Sequence, residues 1–343
     1  MNNSKPLVSA IVSTYNSAKF ISGKIEDLLN QTIADKLEII IVNSGSQQDE
    51  DIIINTYLKK YANIKYIKTE ERETIYKAWN RGIRIASGLF ITNANTDDRL
   101  RKNAYKVLAN QLIKNPQVAL VYADQLISRI KNEKCEEVKE NIVIHFPEYN
   151  HIKQLERCII GSQPMWRSSL HFQDDIWFNE KYEVSGDHEF QLKVAEKYEI
   201  IHLHEPLGTF YKSVNYTNKE YENIERNIKE VNEIREIFMN NFISKLSHDQ
   251  LNKYRKSFSI YVRMPILLYV LLKKIERLVN NNIYPRFFFH SVEFVYQFNI
   301  QILIKLNDTK SALKQCDRFL FYKKSMAIQR LKQLIISKNE EKN

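Results

Sequence analysis

Glycine and proline are scarce in this sequence, seven of each in 343 residues, which argues against a fibrous or low-complexity chain. Cysteine is scarcer still. Cys135, Cys158 and Cys316 are odd in number, widely spaced and without a CxxC pair, so neither a disulfide framework nor a cysteine zinc site is expected. The longest apolar stretch, Met264 to Leu272, is about half of the ~20 residues a bilayer-spanning helix requires. No basic segment precedes an apolar run at the N-terminus, which passes directly into a strand-like segment, and the expected location is cytoplasmic. No glycine-rich phosphate loop follows the first apolar run, which disfavours nucleotidyl transfer. No recognised nucleic-acid module is present either, so no nucleic-acid partner is expected.

What is present points to a folded protein of two units. A hydrophobic share of 43% and a charged share of 27% are near the averages for soluble domains, and the length exceeds what one core usually supports. The net charge is +10. It gathers partly behind residue 250, in segments such as Lys253 to Lys256 and Leu272 to Arg277, and suits a phosphate-bearing ligand, a polyanion or an anionic membrane.

Apolar runs and helical periodicity alternate through the first half. Strands are expected at Leu7 to Ser13, Leu37 to Val42, Ile64 to Lys68, Leu89 to Asn93 and Val118 to Tyr122, with amphipathic helices between them. Continuous apolar strands separated by helices imply an α/β fold with a mostly parallel sheet covered on both faces. Ligands of such sheets bind beyond the carboxyl ends of the strands, which directs attention to Ser13 to Asn16, Asn43 to Ser46 and Asn95 to Asp98. From about Tyr216 the pattern becomes helical. The expected division is a catalytic domain over 1–215 and a helical region over 216–343.

Five segments, in order, resemble the motifs of glycosyltransferase family 2, whose members adopt the GT-A fold. They are PLVSAIVSTYN from Pro6, LEIIIVNSGSQQDE from Leu37, IYKAWNRGIRIASGLFITNANTDD from Ile75, GSQPMWRSSLH from Gly161 and FNEKYEVSGDHEFQLKVA from Phe178. The resemblance covers roughly the first 215 residues and leaves the helical remainder uncovered. It implies inverting transfer of a sugar from a nucleotide donor, a UDP-sugar first, to a hydroxyl of a glycan, lipid-linked or protein acceptor.

Residue by residue, the resemblance implies that Asp97, with Asp98 directly or through water, holds a divalent cation, Mn²⁺ or Mg²⁺. Hard cations prefer such oxygen ligands, and a cation there neutralises the charge growing on a leaving diphosphate. Asn95 stands where the family's Asp-x-Asp motif has its first acid, and Asn43-Ser44 where one or two Asp are common. Thr14, Tyr15, Asn43, Ser44, Asn80, Asn95 and Arg167 are the expected donor contacts, with Tyr15 against the base and Arg167 at the diphosphate. Asp187 is the expected general base, with Glu189 and Asp124 next in line. Competing structural roles exist for each, a helix N-cap for Asp187 and for Asn95 to Asp98 and core packing for Trp166.

His202 and His204 share one face of an apolar strand. They offer metal-ligand spacing without a carboxylate at matching interval, and some GT-A enzymes complete their cation site with a histidine from this part of the chain. The basic segment with Arg263, Lys273, Lys274 and Arg277, and the block Phe287 to Phe289 beyond Arg286, suit either packing against the rest of the chain or peripheral contact with an anionic inner membrane face. The neutral residues at Asn43, Ser44 and Asn95 also motivate a rival reading, a non-catalytic GT-A-like protein that binds a nucleotide-sugar or another polyanion. Retention of Asp97 and Asp187 speaks against it.

Overall fold

The computed structural model describes residues 5–212, 223–251, 296–298, 300–305 and scattered helical positions from 312 to 336. The chain divides into two compact units, Met1–Ile234 and Arg235–Asn343. The expected boundary at 215/216 and the basic residues Arg263, Lys273, Lys274, Arg277 and Arg286 lie outside the described residues, as do Phe287 to Phe289.

In the first unit β1 (Val8–Thr14), α1 (Ala18–Leu29), β2 (Leu37–Ser44), α2 (Glu50–Leu58), β3 (Ile64–Thr69), α3 (Ile75–Arg84), β4 (Phe90–Asn93), α4 (Ala104–Lys114) and β5 (Val118–Ser128) follow in turn. After them come β6 (Val143–Ile144), α5 (His151–Glu156), β7 (Met165–Arg167), α6 (Ser169–Phe172), α7 (Gly186–Ala195), β8 (Glu199–Tyr211) and α8 (Ile224–Lys245). The sheet order is β3-β2-β1-β4-β7-β5-β6, with β8 beside β5. The expected α/β class holds. β1 to β4 are mutually parallel, as are β5 and β8. Between them β7 runs antiparallel to both β4 and β5.

Every residue of β2 is buried, as a central strand with helices on both faces requires. Val8, Ala10 and Val12 of β1 pack with Ile39 and Ile41 of β2 and with Ile21, Ile25 and Leu28 of α1 in one core. On the other face α3 lies so close that a Cβ on Gly82 would stand 2.8 Å from Ile11 Cγ2. Only glycine permits that approach. Thr74 caps α3 by accepting from Lys77 N.

The chain leaves β1 for β2 and β3 on one side, then returns to place β4 on the other. That reversal opens a crevice at the carboxyl ends of β1 and β4, where doubly wound sheets bind ligands.

In the second unit the described residues are helical apart from 246–247. Tyr296, Ile300, Leu303, Ala312, Cys316, Ile328 and Ile335 bury their side chains together. Among the described residues no helix is long and apolar enough to cross a membrane.

Candidate active site

A cleft of about 930 Å³ opens at that crevice. Thr14, Tyr15, Ser44, Asn95, Asp97, Asp98 and Asp187, distant in sequence, all line it. β1, β2 and β4 deliver the first six from their carboxyl ends, and the start of α7 delivers Asp187.

Asp97 and Asp98 differ in what they can do. Asp98 is buried, accepts from Tyr211 N at 2.9 Å and Ser162 Oγ at 2.8 Å, and is 3.4 Å from Asn95 Nδ2. These bonds tie the loop to the end of β8. Asp97 is half-buried and lines the cleft. Burial, and then the charge of Asp98, push its pKa up to about 6. Behind the pair, Lys24 is buried with no hydrogen-bond partner for Nζ, and burial brings its pKa down to about 8. Arg99 is buried beside it. Two crowded carboxylates facing a concave polar space are a donor set that suits a hard divalent cation.

A pH dependence follows. Below about 6 Asp97 carries a proton that a cation must displace, so apparent Mn²⁺ affinity is expected to fall by up to ~10-fold per pH unit there. The same raised value means that the folded state holds a proton the unfolded chain has lost. Between the ordinary value of 3.8 and about 6, stability without cation therefore falls as pH rises. Mn²⁺ titrations from about pH 7.5 down to about 5 check the first point. Affinity that is flat across this range would remove Asp97 from the site.

Asp187 opens α7. Its Oδ1 accepts from His188 N at 2.8 Å and lies 3.2 Å from the Tyr76 hydroxyl, which also donates to Val184 O at 2.7 Å. Burial raises its pKa. Gly186 is required beside it, because a Cβ there would stand 2.7 Å from the Tyr76 ring. The segment before it is held by Glu230 of α8, whose carboxylate accepts from Glu183 N, Val184 N and Ser185 N at 2.9, 3.0 and 2.9 Å. Glu189 points elsewhere. It is buried, 2.9 Å from Lys193 Nζ, and is absent from the cleft lining.

Three expected donor contacts do not line the cleft. Asn43 is buried, and its carbonyl oxygen accepts from Ser46 N at 3.0 Å while its amide donates to Asp51 and Tyr66. It builds the turn through Gly45, whose φ is +64°. Asn80 donates to Phe178 O at 2.8 Å and to Glu180 at 2.9 Å, and accepts from Phe178 N at 3.2 Å. It fastens the chain ahead of α7 to α3. Arg167 donates to Val118 O at 2.7 Å, Leu112 O and Asn115 O at 2.5 and 3.1 Å, closing the carboxyl end of α4. Replacing it with Met is expected to cost about 1–3 kcal/mol by orphaning these carbonyls. Chemical denaturation and donor binding measured together check this. Weakened donor binding without lost stability would restore Arg167 to the site.

Cations that do line the cleft are Lys19, Arg72 and Arg226. The Arg72 guanidinium lies 4.4 Å from the Tyr15 ring centroid, so it shares the place expected for a base. Arg226 pairs with Glu183. Arg72 sits in the polar segment TEERET, which no periodicity singled out. Ser44 lines the cleft and ties its wall, donating to Glu73 O at 3.2 Å and accepting from Glu73 N at 2.5 Å. Trp166 packs with Phe178 and Phe190 at ring distances of 5.8 and 5.4 Å. His202 and His204 are not in the cleft lining and do meet a carboxylate, Asp124 of the neighbouring strand.

The sequence profile of glycosyl transferase family 2 matches residues 9–171. The matched span is 163 of the 343 residues. It runs from the second residue of β1 through β7 and includes the Asn95 to Asp98 loop. Asp187 and Glu230 lie past the matched span. The chain is 29% identical over 204 residues to a hyaluronan synthase of Pasteurella multocida, covering 59% of this chain and 20% of that protein. It is 30% identical over 192 residues to the uncharacterized glycosyltransferase EpsJ of Bacillus subtilis, covering 51% of this chain and 54% of the relative. The chain thus spans about one fifth of the length of the synthases it matches, among them a chondroitin synthase of Pasteurella multocida at 20% coverage. In three dimensions the fold resembles S. aureus TarS 1-349 in complex with UDP, with a TM-score of 0.50 at 17% identity, covering 88% of this chain and 91% of that one.

Proposed function

We propose that the chain is an inverting glycosyltransferase that moves a sugar from a nucleotide donor, a UDP-sugar, to a hydroxyl of a growing polysaccharide or glycoconjugate. The observation that supports this best is the presence, in one cleft, of the Asp97–Asp98 pair and Asp187. The relatives that make hyaluronan and chondroitin support the product class.

Each lining carboxylate has a distinct duty. Arg81 holds Glu73 and Arg226 holds Glu183. Asp97 offers its charge to a divalent cation, with Asp98 as the braced second acid. When bound, such a cation neutralises charge developing on the leaving diphosphate. Asp187 remains to take the acceptor's proton. Its raised pKa makes it a better base than an ordinary aspartate at neutral pH, and the Tyr76 hydroxyl and His188 N fix its orientation. Arg72 and Lys19 are placed to meet phosphate oxygens from the cleft wall.

In an inverting transfer the anomeric configuration of the product is opposite to that of the donor. NMR of the first product formed from an α-linked donor checks this, with a β-linked product expected. An α-linked product would contradict it, because retention requires a covalent or otherwise front-face mechanism.

A further inference from the structure

The geometry points to a transition-metal site, suited to Zn²⁺, formed by Asp124 of β5 with His202 and His204 of β8, separate from the cation position at Asp97. One ligand atom from each of the three lies within 4.8 Å of the others. The irregular pairing of β5 with β8 at Ala123, Asp124 and Gln125 brings the aspartate against the two histidines. Asp124 is 1% exposed. His202 Nε2 is 2.7 Å from its Oδ1, and the exposed His145 Nδ1 is 2.8 Å from its Oδ2. His204 Nε2 is 2.5 Å from Glu148 Oε1.

The contact with Asp124 fixes the His202 tautomer. An ionised carboxylate only accepts, so Nε2 carries the proton and Nδ1 presents a bare lone pair. That nitrogen is buried without a hydrogen-bond partner, so it is free to take the proton when Nε2 turns to a metal. Two imidazoles and one carboxylate are a borderline donor set that favours Zn²⁺ over Mg²⁺ or Mn²⁺. Atoms ligating one tetrahedral Zn²⁺ sit roughly 3.3 Å apart, given bonds near 2.0–2.1 Å, so the cluster needs only small movements to close. Binding displaces the protons that now hold these groups together.

The site sits where a clamp has use. Tyr122 of β5 stacks on His202 at 4.9 Å and donates to Pro147 O at 2.5 Å, so an ion here cross-links β5 to β8 beside the 145–148 segment. Next to Asp124, Gln125 donates to Ser162 Oγ at 2.9 Å, and Ser162 donates to Asp98. The clamp therefore lies two hydrogen bonds from the brace of the catalytic loop.

Metal-stripped full-length protein should be titrated with Co²⁺, followed by its visible absorption, and then with competing Zn²⁺. One equivalent with a tetrahedral spectrum is expected, retained in Asp97→Asn. In His204→Ala affinity should fall by more than the ~10–100-fold typical of losing an outer partner. His204 is exposed, so this variant is expected to fold, and Zn²⁺ should raise the thermal midpoint of the wild type and Asp97→Asn but not of His204→Ala. Three results would overturn the site: no saturable absorption, unchanged binding in His204→Ala, or a spectrum lost with Asp97→Asn.

Discussion

Asp187→Asn is expected to lower sugar transfer by ~10²–10⁴-fold while leaving donor affinity nearly unchanged, the usual scale of a lost general base. The amide keeps the oxygen that accepts from His188 N at 2.8 Å and faces Tyr76 at 3.2 Å, so the local fold should survive. What it loses is the capacity to take a proton. A helix-capping role would behave differently, costing about 0.5–2 kcal/mol of stability and leaving the chemistry of folded protein intact. Transfer rate, donor binding and thermal midpoint of one preparation separate the two. A rate that declines only with the folded fraction would exclude Asp187 as the base.

Asp97→Ala is the second large effect. Removing one preorganised charge from a site that stabilises a leaving group costs ~10²–10³-fold in rate, and the residual activity should lose most of its dependence on divalent cation. Asp98 is a weak substitute, because Tyr211 N and Ser162 Oγ already occupy its oxygens. Asn95→Asp should tighten the cation by adding a charge on the same loop. Full wild-type activity in excess chelator would show that transfer needs no cation, and an unchanged cation titration in Asn95→Asp would show that the cation sits elsewhere.

The parts of the fold most legible in the sequence are those whose signal is local. β1, β2 and β4 are continuous apolar runs because helices cover both faces of the sheet. The residues just past their ends were readable as cleft residues for the same topological reason. β7 was harder to place. It is three residues long, Met165–Arg167, and its antiparallel insertion between β4 and β5 is set by tertiary pairing that no short window contains. The resemblance implies a diphosphate contact for Arg167, and its guanidinium reaches the carbonyls that end α4. Asn43 occupies a position that suits base recognition, and its side chain bonds Ser46 N, Asp51 and Tyr66 in the turn. Glu230 could not be found from sequence at all, since its role exists only once α8 lies against the segment before Asp187. His202 and His204 were visible as a pair, but their carboxylate comes from β5, far away along the chain.

The most direct test of the account is release of nucleoside diphosphate from a panel of nucleotide-sugars, with binding of each donor followed in parallel by thermal shift with Mn²⁺. The account predicts that the donor giving the largest stabilisation is also cleaved, that cleavage requires the cation, and that Asp187→Asn binds this donor but releases almost no diphosphate. A donor that binds in a cation-dependent way and is released intact by the wild type, with a pool of glycan acceptors present, would contradict it and leave a binding protein on a glycosyltransferase fold.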